Sequence, residues 1–245
     1  KLLETACHEV LHGEIFFYVP TQPARDVKVV PLRQMPARKG LSQVEGQAHL
    51  LHDLANIELQ AMELAFRTLV EFPKAPCKFR QSLAQIAGEE AKHLHLCIKG
   101  IDALGFRWGQ WPVNTMLWQC VSAQDSLLDR VVIVHRYLEG SGLDASSILL
   151  NRLKGVSSPI ITPIVEVIAH DEMEHVNFGS YWYRELCHQQ GLDFEVDFNE
   201  RLQRLLPRLP RRMEKIDVKA RQQSGFSASE ISYLQQIREL RLGQG

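Results

Sequence analysis

The sequence predicts an all-α protein: a four-helix bundle with an irregular N-terminal arm and a short helical C-terminal extension. Three observations predict it. Long stretches repeat apolar residues at intervals of three and four, strand signals are few, and Glu and His recur on the apolar faces of the helical stretches. At 245 residues, 45% hydrophobic and 23% charged, the chain can bury a sizeable core.

Taken in order, residues 13 to 43 hold Pro20, Pro23, Pro31, Pro36 and Gly40 among short apolar pieces, which reads as an extended arm. Residues 1–43 are therefore expected to pack on the bundle as an arm. The first helix is expected over 44–70, where Leu51, Leu54, Ala55, Ala61, Met62, Ala65 and Leu69 form one stripe before Pro73 and Pro76. A second stripe runs through Leu83, Ile86, Ala87, Leu94, Cys97 and Ile101 and stops at Gly105. An aromatic connection, Phe106 to Pro112, leads to a third helix from about Thr115 to Glu139. Gly140-Ser141-Gly142 is expected to interrupt it before helical structure resumes over 143–153. The fourth helix is expected from Pro159 to Gln190, which closes a bundle over 44–190. In the extension, 191–245, two short helices are expected, near 194–206 and 228–240, the latter opened by a Ser227/Glu230 capping box.

A formal net charge of −1 excludes a global field for polyanions, so any basic partner surface must be local. Five cysteines without a CxxC pair fit reduced thiols, hence a cytoplasmic protein. No run approaches the roughly 20 apolar residues that span a bilayer, and no membrane association is expected.

The chemistry lies in Glu-x-x-His, which presents an oxygen and a nitrogen on one helix face. About one such motif is expected by chance from composition. This chain has Glu9/His12, Glu90/His93, Glu172/His175 and Glu185/His188. Only Glu90/His93 and Glu172/His175 have an acid immediately before the Glu, and both continue an apolar stripe, where a carboxylate is costly unless paired or bound to metal. Glu185/His188 falls off that face and is expected to be solvated.

The spacing then repeats. Glu58 precedes Glu90 by 32 residues and Glu139 precedes Glu172 by 33, each on an inward stripe. In an antiparallel pair with its turn near residues 70 to 76, Glu58 and Glu90 both sit about 20 Å from the turn at 1.5 Å per residue. The second pair gives the same level about a turn near 153 to 158. Glu58, Glu90, His93, Glu139, Glu172 and His175 thus form the ligand set of a two-metal carboxylate site.

The runs Ile57-Glu58-Leu59-Gln60-Ala61-Met62-Glu63-Leu64-Ala65, Leu138-Glu139-Gly140-Ser141-Gly142-Leu143-Asp144 and His170-Asp171-Glu172 resemble the ferritin-like di-iron carboxylate superfamily, in particular the group catalogued as domain of unknown function 455. That group stands near the di-iron tRNA hydroxylases. The resemblance implies two metal ions, iron in the first instance with manganese or a mixed pair as the alternative. It implies an O2-activating oxidoreductase of the hydroxylase or monooxygenase kind, with O2, an organic substrate and an electron donor as partners. The substrate stays open. The competing functions are a ferroxidase or iron-storage protein, and a structural helical module with a vestigial site.

Around the six ligands, Glu89 and Asp171 are expected to orient His93 and His175 by hydrogen bonds across the bundle. His135, one turn before Glu139, is expected beside the site. Gly140 and Gly142 are expected to distort the helix there and open a substrate passage. The basic residues of Arg201 to Arg221 offer an RNA contact, against the alternative of a solvated tail interrupted by Glu200, Glu214 and Asp217.

Overall fold

The computed structural model describes residues 19–156, 158–212 and 214–242. Among them the structure is helical, and the extended pairing is confined to an isolated parallel bridge between Val29 and Val113. No helix among them is long and apolar enough to cross a membrane. The chain divides into two compact units, Lys1–Gln119 with Arg152–Val167, and Cys120–Asn151 with Ile168–Gly245.

In the first unit, α1 (Val44–Glu71) and α2 (Cys77–Ala103) are the two predicted helices. The buried positions of α2 include Leu83, Ile86, Ala87, Glu90, His93, Cys97 and Ile101, the stripe read from the sequence. α2 ends in a Schellman motif: Gly105 has φ +81°, its N–H bonds to Asp102 O, and the Phe106 N–H bonds to Ile101 O at 3.1 Å. A Cβ at Gly100 would stand 2.6 Å from the tips of both Leu51 and Ile164, so glycine permits the close approach there. The arm is tied to α1 by a forked ion pair from Arg25 to Glu63, at 2.7 and 2.6 Å. It also pairs with the connection after α2, where Val30 N–H bonds to Val113 O at 2.8 Å. That connection lies along α1. Gln60 accepts the N–H groups of Leu117 and Trp118, and Asn56 and Gln60 both donate to Asn114 O.

The same connection stacks two tryptophans on two histidines of α1. Trp111 covers His49 at 4.4 Å with rings 3° from parallel, and Trp108 covers His52 at 4.6 Å. His52 Nε2 accepts the Gly109 N–H at 3.1 Å. Burial, with His49 adding to it, pushes His52 down to about 4 from 6.5. The fold therefore keeps His52 neutral while the unfolded chain binds a proton, so this contribution is complete above pH 6.5 and is lost as pH falls towards 4. The loss is on the order of 3 kcal/mol. Between pH 7 and pH 4 the unfolding free energy from urea denaturation should fall further for the wild type than for His52→Gln by that amount; equal falls would exonerate His52.

Helix three departs from expectation. α3 (Met116–Gln119) is a single turn that closes the first unit. In the second unit α4 (Leu127–Val131) starts afresh, because Ser126 and Asp129 form a capping box that the sequence reading missed. Gly140 and Gly142 do not break the chain of turns. The helix runs without interruption through a π-helical stretch, Val132–Glu139, into α5 (Gly140–Leu153). The distortion thus precedes the glycines. A Cβ on Gly140 would lie 2.1 Å from Arg221 Nη1, so its vacancy is filled by a guanidinium and opens no passage; Gly142 has no neighbour within 4 Å.

α6 (Ile161–Gln189) is the predicted fourth helix, and α7 (Phe194–Leu205) and α9 (Ala228–Leu242) are the predicted tail helices. The Ser227/Glu230 box is present, with Ser227 N–H donating to Glu230 Oε2 at 2.8 Å and Glu230 N–H to Ser227 Oγ at 3.2 Å. Between them lies an unforeseen α8 (Val218–Gln223), whose first turn is capped by the Asp217 carboxylate.

Several arginines of the basic segment are engaged within the second unit. Arg201 forks onto Asp197 and reaches Asp129 at 2.7 Å, Arg204 reaches Asp129 at 2.6 Å, and Arg208 pairs with Asp125. Burial works to raise the Asp129 carboxyl, but the Ser126 N–H and the two guanidinium groups outweigh it and hold it down to about 2. Deeper, Arg136 makes a forked pair with Glu230 at 2.7 and 2.9 Å, both side chains fully buried. The rings of Phe226, Phe198 and Tyr183 surround that guanidinium at 4.1, 4.7 and 4.9 Å.

Candidate metal centre

In the first unit, α1 carries Glu58 and α2 carries Glu90 and His93 to a common buried point; their exposures are 2%, 0% and 0%. His93 Nδ1 lies 3.4 Å from both Glu58 Oε2 and Glu90 Oε2. One ligand atom from each of the three lies within 4.8 Å of the others. Burial, reinforced by the neighbouring Glu90 carboxylate, pushes Glu58 up to about 8. The cluster alone therefore holds a proton at neutral pH, where a cation would make the ionised form favourable.

In the second unit the π-helical stretch presents His135 and Glu139, and α6 presents Glu172 and His175; all four are buried. His135 Nδ1 is 2.7 Å from Glu139 Oε2, and His135 Nε2 is buried without a hydrogen-bond partner. Glu139 and His175 each offer a ligand atom within 4.8 Å of the other. The two elements come this close because of Gly179, two turns beyond Glu172: a Cβ there would stand 2.4 Å from His135 Cβ. Gly179→Ala should push the His135 turn off α6 and weaken metal binding at least tenfold in a ferrous-iron titration.

The remaining predicted residues are placed as follows. Glu89 and Asp171 are half-buried beside Glu90 and Glu172. Glu185 is half-buried and accepts from Gln189 Nε2, and His188 is exposed. Glu9 and His12 lie outside the described residues. The sequence reading did not show that Arg136, Asp144, Arg221 and Glu230 are internal charges, each nearly or fully buried.

The donor set fits a transition metal. Carboxylate oxygens and imidazole nitrogens suit iron, manganese and zinc, with ligand bonds of about 2.0 to 2.2 Å. Two donors on one ion then stand about 3 to 4 Å apart, given those bond lengths. The 3.4 Å separations at His93 match that spacing and exceed a normal N–H···O bond, which is about 2.7 to 3.2 Å long.

A Haemophilus influenzae protein, described as an uncharacterized protein, is 28% identical over 225 residues, covering 89% of this chain and 77% of the relative. No solved structure matches the chain. Residues 4–232 match the family described as protein of unknown function, DUF455, and a match over that much of the chain makes this protein a member of that family.

Proposed function

We propose that the two buried clusters are halves of one two-metal centre and that the protein is a ferritin-like, O2-activating di-iron oxidoreductase acting on an organic substrate. Glu58, Glu90 and His93 would supply one half, and Glu139, Glu172 and His175 the other. The observation that carries the metal reading is the cluster at Glu58, Glu90 and His93, two carboxylates and an imidazole buried together with one ligand atom of each within 4.8 Å of the others. The matched Glu, then Glu-x-x-His order of the two halves supports joining them. When bound, reduced iron would supply electrons to O2. The protein's own part is to bury the carboxylates and imidazoles together, exclude bulk water and orient the ligands; the His135 contact to Glu139 serves the last of these.

An oxygenase, unlike a storage protein, needs room for an organic substrate, and a cleft of about 260 Å³ offers some. Leu143 and Leu150 of α5 and Ala169 and Met173 of α6 form its apolar wall, on the helices that follow Glu139 and carry Glu172. Arg201, Arg204, Arg208 and Arg221 face Asp129, Asp197, Asp125 and Asp144, which reduces the free positive charge that Arg201 to Arg221 could offer an RNA.

Metal analysis should give two ions per chain, and the anaerobically reduced protein should consume O2. Glu58→Ala and Glu172→Ala, one in each unit, should each lose both ions. Loss of one ion apiece would mean two separate sites, and loading by hundreds of irons per assembly would replace the oxygenase reading with storage.

A further inference from the structure

The π-helical stretch raises the question of what holds it, since a π turn is rare and appears mostly as a short bulge, often at functional sites. Its sequence offers no answer: Val132-Ile133-Val134-His135 contains neither glycine nor proline. The structure offers one at its C-terminal end. The Gly140 N–H, which in an α-helix would serve the Arg136 carbonyl, is directed to Tyr137 O, as is the Ser141 hydroxyl at 2.6 Å. The Arg136 carbonyl accepts from Arg221 Nη1 at 3.0 Å.

Arg221 is itself immobilised. Its Nε and Nη2 donate to the two oxygens of Asp144 at 3.1 and 2.7 Å, and Phe226 lies 4.8 Å from its guanidinium carbon. Asp144, fully buried, also accepts from Arg238 at 2.8 Å and from the Asp217 N–H at 3.0 Å. The guanidinium lies against Gly140, with Nη1 and Cζ 2.1 and 2.7 Å from the position that a Cβ would need.

We propose that Arg221, held by Asp144, is a positioning residue: a clasp from α8 that fixes the end of the π-helical stretch and so the placement of Glu139 and His135. That Glu139 is a metal ligand rests on the proposed function; that Arg221 sets the local register does not. The clasp is geometric. Five donors in a rigid fork let one side chain bind a carboxylate and a backbone carbonyl together, which a lysine cannot reproduce. Gly140 is the complementary half, because only a residue without Cβ lets the fork reach the carbonyl.

Gly140→Ala tests this without removing either charge. Alanine is the better helix former, so the helix itself is not weakened, while the new Cβ displaces Nη1. Amide hydrogen exchange of the metal-free protein should show residues 132–141 exchanging at least tenfold faster, with α1 and α2 unchanged. Ferrous iron titrated anaerobically should bind at least tenfold more weakly. Should Gly140→Ala not fold, Arg221→Lys keeps a charge against Asp144 and should give the same local signature. Unchanged exchange over 132–141, or an equal rise everywhere, would overturn the clasp. A wild type that binds no metal would instead overturn the proposed function, leaving the exchange result to decide the clasp.

Discussion

Stripping the metal is expected to lower the melting temperature by about 5 to 10 °C. By linkage, metal at a hundred times its Kd stabilises by about 2.7 kcal/mol, and a chain of this size shifts about 2 to 4 °C per kcal/mol. The physical source is the buried carboxylates. Without a cation, Glu58 is held in its protonated form by burial and by Glu90, and the metal replaces that proton. Glu90→Ala should melt like the stripped protein whether or not metal is added, since it removes a donor from the centre of the first cluster. Differential scanning calorimetry of wild type and variant, each with and without ferrous iron, checks both points. Equal melting of stripped and loaded wild type would favour a structural module whose acids and histidines satisfy one another.

The helices and the ligand candidates were legible because both follow local rules. Three-and-four periodicity located α1, α2 and α6, and the acid before Glu90 and Glu172 separated two Glu-x-x-His motifs from two others. The third helix was misread for two different reasons. Its restart at Ser126 carried a readable signal, a serine followed three residues later by Asp129, which was overlooked. Its π-helical register carried none, because the fork that meets it comes from Arg221, 85 residues further along the chain. Gly140 was recognised as special, but its reason was mistaken: space for a guanidinium looks the same in sequence as space for a substrate. The partners of the basic segment were hidden in the same way. Composition counts the charges of Arg201, Arg204 and Arg208, and cannot show that Asp125 and Asp129, more than 70 residues upstream, meet them.

Glu230→Gln is expected to cost about 3 to 5 kcal/mol, the usual penalty for leaving one member of a buried ion pair unmatched. The substitution isolates the charge. Glutamine at the third position of a capping box still accepts the Ser227 N–H, so the start of α9 keeps its cap, and the side chain keeps its volume. What is lost is the anion facing Arg136, a guanidinium with no exposure to solvent and three aromatic rings around it. Those rings attract a cation but supply about 0.5 to 2 kcal/mol each, too little to replace a carboxylate in a buried site. Arg136→Met should cost a comparable amount by stranding Glu230. The double variant Arg136→Met/Glu230→Gln should recover part of the loss, since neither charge is then buried alone. Urea denaturation of the four proteins gives the coupling directly; a Glu230→Gln cost below about 1 kcal/mol would place the pair among weakly contributing ion pairs. Because Arg136 lies in the stretch between His135 and Glu139, the same four proteins should lose iron affinity in the order in which they lose stability.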